Sequence, residues 1–275
     1  MTYFDNAYKK LVSEILEHGI EDYNERSGYH CKAVHGAHMK LDLSKGFPLL
    51  SLRKLPFKIF IAEQVWFLMG NNSPEWIGQF TKIWDDFIEK DGTVTSYGYR
   101  WRKHFGRDQL GELIKHLKEK PGSRHGVVIA WDPKNDGLTA KPRKNVPCLF
   151  SFVVNIIGGK LCLHNIIRSQ DVFLGMPFDV AGFAFLQHVI AQELGLEVGT
   201  YAHSISNAHF YSDQYEAAEE LLKRENKEQQ EIILDLPKNT LQRAEKGDVT
   251  LIDEIVTSIK VQYKPLESIK GIRAH

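Results

Sequence analysis

Apolar positions near the start of the chain recur at helical spacing. Phe4, Tyr8, Leu11 and Ile15 share one face and Gly19 closes the run, which predicts a helix over 3–18. Residues 34–43 (VHGAHMKLDL) partly alternate and predict a strand. Residues 58–70 (KIFIAEQVWFLMG) predict a mostly apolar helix with one acid, Glu63. Residues 74–90 open with proline at a first helical position and predict an aromatic-rich helix. Residues 108–120 predict a charged amphipathic helix. The pattern then changes to three β-rich runs, GVVIAWDP, PCLFSFVVNIIGG and KLCLHNIIRS, with Gly158-Gly159 as a hairpin turn between the last two. Residues 178–195 predict a long apolar helix stopped by Gly195, and residues 212–224 another. The tail from Val256 predicts one more strand and an irregular end. Helices and strands mix without a strict βαβ rhythm, so the expected class is α+β. No repeat, low-complexity tract or linker divides residues 1–275, which points to a single domain.

Composition narrows the setting. Among 275 residues, 43% are hydrophobic and 25% charged, enough for a sizeable core. Lys+Arg and Asp+Glu balance at 35 each, so no global field attracts nucleic acid and any anion site must be local. The amphipathic N-terminus is neither a signal peptide nor an anchor, and no stretch approaches ~18 consecutive apolar residues. Three cysteines, Cys31, Cys148 and Cys162, argue against a disulfide framework and for a reducing cytoplasm.

Several residues carry potential chemistry. Pro147 fixes the backbone just ahead of a strand and presents the Cys148 thiol at its entrance, although a cysteine taken alone is more often a small buried hydrophobe. Arg168-Ser169, just past a β run, offers charge-assisted donors to a phosphate or, more simply, a surface ion pair. Ser123-Arg124-His125 lies at a similar helix-to-strand junction, and Arg26 (NERSG) in a polar loop. Glu63 has apolar neighbours, which makes it a candidate acid/base or a solvated edge residue. His209 and Tyr211 alternate on a strand and share a side, as a binding or a structural pair. The pairs His35/His38 and His203/His209 lack cysteines at ligand spacing, so no metal is expected. No P-loop or dinucleotide glycine loop occurs.

In this order the segments resemble the thymidylate synthase family over nearly the whole chain. The strongest stretch is RSQDVFLGMPFDVAGFAFLQHVIAQELGLEVGTYAHSISNAHFY, residues 168–211. KGFPLLSLRK, AEQVWFLMG, IWDDF, YGYRWR, GSRH, AWDP and VPC support it. The resemblance implies a large sheet with helices on one face and a homodimer formed through the sheets. Its site is completed by an arginine from the partner chain, here Arg124. It implies that Cys148, as a thiolate favoured by nearby arginines, adds to C6 of a pyrimidine nucleotide. C5 would then attack the one-carbon unit of 5,10-methylenetetrahydrofolate. Glu63 would organise protons and water. Arg26, Arg168, Ser169 and Arg124 would hold the phosphate, and His209 and Tyr211 the sugar 3′-hydroxyl. Asp171, Gly175 and the C-terminal tail would lie at the folate side, with Trp84 and Tyr97 as cavity walls.

Four positions depart from the family pattern. Asp179 stands for the asparagine of PFN, Leu149 for the histidine of PCH, Ile167 for the glutamine before the RS pair, and His125 for the second arginine of SRR. Asparagine can donate to uracil O4 and accept from N3–H; a carboxylate accepts from the amino group of cytosine instead. Losing such a match costs roughly 1–3 kcal/mol. The same aspartate occurs in the family's hydroxymethylase branch, which adds water rather than hydride to the one-carbon unit. The sequence therefore predicts a dCMP (or CMP) hydroxymethyltransferase. The alternatives are thymidylate synthesis from dUMP, a cytidylate methylase that keeps hydride transfer, and a retired paralogue acting as a binding regulator.

Overall fold

The computed structural model describes residues 1–25 and 27–269; Arg26 and residues 270–275, the end of the tail expected at the folate side, lie outside the described residues. Among the described residues six strands form one mixed sheet in the order β1-β2-β6-β5-β4-β3. They are β1 (Ile20–Asn24), β2 (Tyr29–Asp42), β3 (Val127–Ile129), β4 (Leu149–Ile157), β5 (Lys160–Asp171) and β6 (Glu197–Tyr211). All neighbours are antiparallel except β5 and β6. The helices are α1 (Tyr3–His18), α2 (Phe57–Met69), α3 (Tyr97–Tyr99, continuing as a π turn through His104) and α4 (Gln109–Glu119). They continue as α5 (Met176–Leu194), α6 (Tyr215–Lys223), α7 (Thr240–Glu245) and α8 (Thr250–Lys260). The expected α+β class is what is found.

Local chemistry explains the frame. Thr2 and Asp5 form a capping box that starts α1. Gly158 and Gly159, at φ 59° and 77°, make the tight turn that joins β4 to β5. Gly195 ends α5 in the left-handed conformation. The crossover β5–α5–β6 forces the one parallel pairing and lays α5 over those strands. It also brings the last residues of β5 and β6 together, Ser169 beside Asn207 and Asp171 beside His209.

Two close approaches set the wall over the sheet. A Cβ at Gly182 of α5 would lie 3.0 Å from Gln64 Nε2, so glycine lets α2 and α5 meet. A Cβ at Gly98 would lie 1.9 Å from the Phe67 carbonyl oxygen at the end of α2. Gly98→Ala must therefore separate α3 from α2. It is expected to cost about 1–3 kcal/mol or more, read by denaturant unfolding.

Three expectations need correction. Residues 74–90 are not one helix; they hold two 3₁₀ turns, Ile77–Gln79 and Asp85–Phe87. The Thr81 hydroxyl takes the Ile83 N–H, which competes with helical continuation, and the Trp84 indole reaches Glu63. The tail strand is absent among the described residues: Val256–Lys260 finish α8, whose Leu251, Ile252, Ile255 and Ile259 are buried at helical spacing. The helix expected over 212–224 begins as a 3₁₀ turn, Ser212–Gln214, before α6. Edge strand β1 and the start of β2 escaped the sequence pattern because β1 is exposed and polar.

Candidate active site

Cys148 sits half-buried immediately before β4, behind the buried Pro147, at the strand entrance expected for it. Its carbonyl accepts the Arg168 N–H at 2.8 Å. The Arg168 guanidinium donates from Nε to the Pro147 carbonyl (2.8 Å) and from Nη2 to the Val146 carbonyl (3.1 Å). It also lies 5.5 Å from the Trp131 ring centroid. Arg168 thus grips the segment that carries the thiol, a role that sequence reasoning did not assign.

Leu149 and Ile167, two of the departures, turn out to be cross-strand register partners, both fully buried. A polar pair in the family pattern is matched here by an apolar pair, so neither side chain leaves an unsatisfied partner. Tyr97, on α3, lies near Cys148 and Asp179, and its hydroxyl accepts the Leu149 N–H at 3.4 Å. Burial, reinforced by Cys148 and Asp179, holds its phenol well above its ordinary pKa, so it stays protonated.

Two carboxylates lie near each other here, Glu63 and Asp179. Glu63, on α2, accepts the Trp84 indole N–H at 2.9 Å. Burial, helped by the charge of Asp179, pushes it up to about 7 against that hydrogen bond. Asp179 lies in the first turn of α5, where the helix N-terminus favours an anion. Burial nonetheless raises it to about 6, opposed by the Gln170 amide, which donates to Oδ2 at 2.8 Å. Both folded values exceed the ordinary carboxylate range, so the folded state holds these protons more tightly than the unfolded chain. The stability each proton confers is full at low pH and is lost as pH rises through about 6 and 7. Glu63→Gln is expected to flatten the upper part of that slope in unfolding measured against pH.

The remaining candidates lie on several elements. Trp84 packs on Trp66, Phe67 and Phe87 with centroids 4.9, 6.1 and 5.9 Å apart. Asp171 accepts the Leu174 N–H (2.8 Å) and the Gln214 amide (2.9 Å), and Gly175 begins α5. His209 and Tyr211 are buried, rings 5.1 Å apart and nearly perpendicular, with His209 Nδ1 on Asn207 Oδ1 at 2.8 Å. Arg124 is exposed on the loop ahead of edge strand β3, and His125 stacks parallel to His116. Asn207 and Gln170 were missed by sequence reasoning. Strand alternation back from His209 points to Asn207; nothing local marked Gln170 as a partner of Asp179. Among the described residues, no three His, Cys, Asp or Glu side chains group as a metal site.

A half-buried thiol, two carboxylates raised above their ordinary range and an arginine beside the thiol's own segment are side chains of the kinds that covalent and acid/base chemistry uses. A family model described as thymidylate synthase matches residues 6–270. The chain is also similar to the thermostable thymidylate synthase A from Bacillus subtilis, at 30% identity and a TM-score of 0.72, over 82% of this chain and 86% of that one. The chain belongs to the thymidylate synthase family and is a one-carbon transferase of that family, whose members bind nucleotide and folate.

Proposed function

We propose that the chain hydroxymethylates a cytidine nucleotide at C5. Its substrates are dCMP, or CMP, with 5,10-methylenetetrahydrofolate and water; its products are the 5-hydroxymethyl nucleotide and tetrahydrofolate. The observation that carries this reading is Asp179, a carboxylate whose one oxygen is already held by the Gln170 amide while it faces Glu63 and Tyr97. Such a group accepts from the amino group of cytosine and repels uracil O4. The apolar Leu149–Ile167 pair supports it, because polar partners for uracil are missing there.

In this reading the Cys148 sulfur adds to C6 and leaves C5 electron-rich. When bound, 5,10-methylenetetrahydrofolate supplies the one-carbon unit. The residues present fit such a ligand: Trp84 belongs to an aromatic wall suited to a flat heterocycle, and the Asp171 oxygens keep lone pairs for its N–H groups. Gly175 leaves room beside them. Glu63 moves protons between the ring and ordered water, and water completes the product. Arg168, Ser169, Arg26 and a partner's copy of Arg124 hold the phosphate; His209 and Tyr211 meet the sugar hydroxyl. The homodimer forms through the open sheet face, where Val127 and Ile129 are exposed on β3 close to Arg124 in sequence. Glu63→Gln is expected to lower kcat by about 10²–10⁴-fold and to remove the pH-rate limb near 7.

A second reading, thymidylate synthesis from dUMP with hydride transfer, is favoured by the likeness to a thymidylate synthase. One assay separates them: the enzyme with either nucleotide and methylenetetrahydrofolate, followed by tritium release from C5 and by dihydrofolate. Tritium release from dCMP without dihydrofolate is expected. Dihydrofolate formed with dUMP alone overturns the cytidylate reading, and dihydrofolate formed with dCMP indicates a methylase.

A further inference from the structure

Beneath Asp179 the core holds polar residues of which the reading above uses only the Gln170 amide. Gln170, Tyr201 and His203 are buried, the last two completely, between strands β5 and β6, and the equally buried Asn165 is the register partner of His203. Buried polar side chains are costly unless they are connected. Three of these form a line: Tyr201 Oη to His203 Nδ1 at 2.8 Å, His203 Nε2 to Gln170 Oε1 at 3.3 Å, and Gln170 Nε2 to Asp179 Oδ2 at 2.8 Å. Among the described residues one end of the line lies beside Asn165, which interacts with Tyr201, and the other end is Asp179.

Its polarity follows from the chemistry of each member. His203 is neutral, since burial, with His164 and His38 nearby, drives it down to about 3, so it has one N–H and one acceptor nitrogen. Tyr201 keeps its proton, because burial holds its pKa well above the ordinary value. Tyr201 O–H therefore donates to Nδ1, Nε2–H donates to the Gln170 carbonyl, and the Gln170 amide donates to Asp179. Reversing the line would point the Gln170 carbonyl at Asp179 and require a protonated carboxyl there. The backbone leaves space for this amide: a Cβ at Gly175 would stand 3.2 Å from Gln170 Nε2.

We propose that Gln170, anchored by His203 and Tyr201, is the positioning residue of the base-reading site. It commits Asp179 Oδ2 to an internal donor, keeps the carboxylate ionised, and leaves Oδ1 as the acceptor presented to the pyrimidine edge. The proposal rests on the reading of Asp179 as the residue that meets the base. Gln170 touches no substrate; it acts through Asp179.

The groups that share the field of Asp179 are Glu63 from α2, Tyr97 from α3 with Cys148 beside it, and Tyr201 and His203 from β6. Glu63, pushed up to about 7, titrates close to Asp179 itself. The test therefore compares Gln170→Leu and His203→Phe with wild type, each also in a Glu63→Gln background, where nucleotide binding replaces turnover. The measurements are kcat/KM for dCMP and dUMP across pH, the dissociation constant of each nucleotide, and the unfolding midpoint.

Gln170→Leu is expected to lower the dCMP-to-dUMP ratio by about tenfold or more. It should also move the acid limb for dCMP to higher pH, since loss of the donor leaves burial unopposed in raising Asp179. His203→Phe, which frees the Gln170 carbonyl from its anchor, should act in the same direction and less strongly. If Gln170→Leu does not fold, His203→Phe alone decides. Equal losses for both nucleotides with an unmoved acid limb would mark the line as merely structural and overturn the proposal. The two claims fail separately. A wild-type preference for dUMP sinks the cytidylate reading, whereas the change in ratio and in the acid limb between variants still judges Gln170.

Discussion

Cys148→Ser is expected to reduce turnover on the order of 10⁴-fold or more while leaving nucleotide binding nearly intact. The hydroxyl is a far weaker nucleophile than the thiol at neutral pH, so addition to C6 stalls. In the proposed reading, binding draws on Arg168, Ser169, His209 and Asp179 rather than on the sulfur. The backbone around position 148 is held by Pro147, by the Arg168 N–H on the Cys148 carbonyl, and by the guanidinium on the two preceding carbonyls. Serine fits the same frame, and the unfolding midpoint should change little. Steady-state kinetics with tritium release, beside equilibrium nucleotide binding, checks both halves. Loss of binding together with turnover would place the cysteine in the frame of the site rather than in its chemistry. A wild type inactive on every pyrimidine nucleotide would favour a binding regulator.

Asp179→Asn is expected to shift preference towards dUMP, by roughly 10–10²-fold in the ratio of kcat/KM, from the cost of one mismatched buried hydrogen bond. The amide can still accept from Gln170 while turning its NH₂ to uracil O4, which the carboxylate repels. The pH dependence sharpens the test. The carboxylate, raised to about 6 by burial, accepts from cytosine only when ionised, so wild-type activity on dCMP should fall as pH drops through that value. The amide does not titrate, and the limb should vanish from the D179N profile. An unchanged ratio would remove Asp179 as the base reader.

Both expectations start from residues visible in the sequence, yet their weight differs once the chain is folded. Cys148 was marked by Pro147 and by the β run that follows, two local features that survive in any context. Asp179 was marked only by departure from a family pattern. Folding added the Gln170 donor, the Glu63 carboxylate on another helix and the burial that brings both acids towards neutrality. Arg168 was expected to await a phosphate; folding shows two of its nitrogens on the carbonyls ahead of Cys148. Leu149 and Ile167 looked like two separate losses and are one matched pair across β4 and β5.

The sequence by itself determined the elements whose cause is local. The apolar stripe and cap of α1, the glycine stops of α2 and α5, the Gly158-Gly159 turn and the cysteine at a strand entrance each depend on neighbours within a few residues. Only the tertiary structure decided what depends on distant partners. Within 74–90, where two 3₁₀ turns stand in place of the expected helix, Trp84 is bonded to Glu63, twenty-one residues away. Polar β1 became a strand because β2 pairs with it. The working pKa values of Glu63 and Asp179 and the line from Tyr201 to Asp179 arise from burial between elements. Desolvation and hydrogen-bond geometry are properties of the assembled core, and no window of sequence contains them.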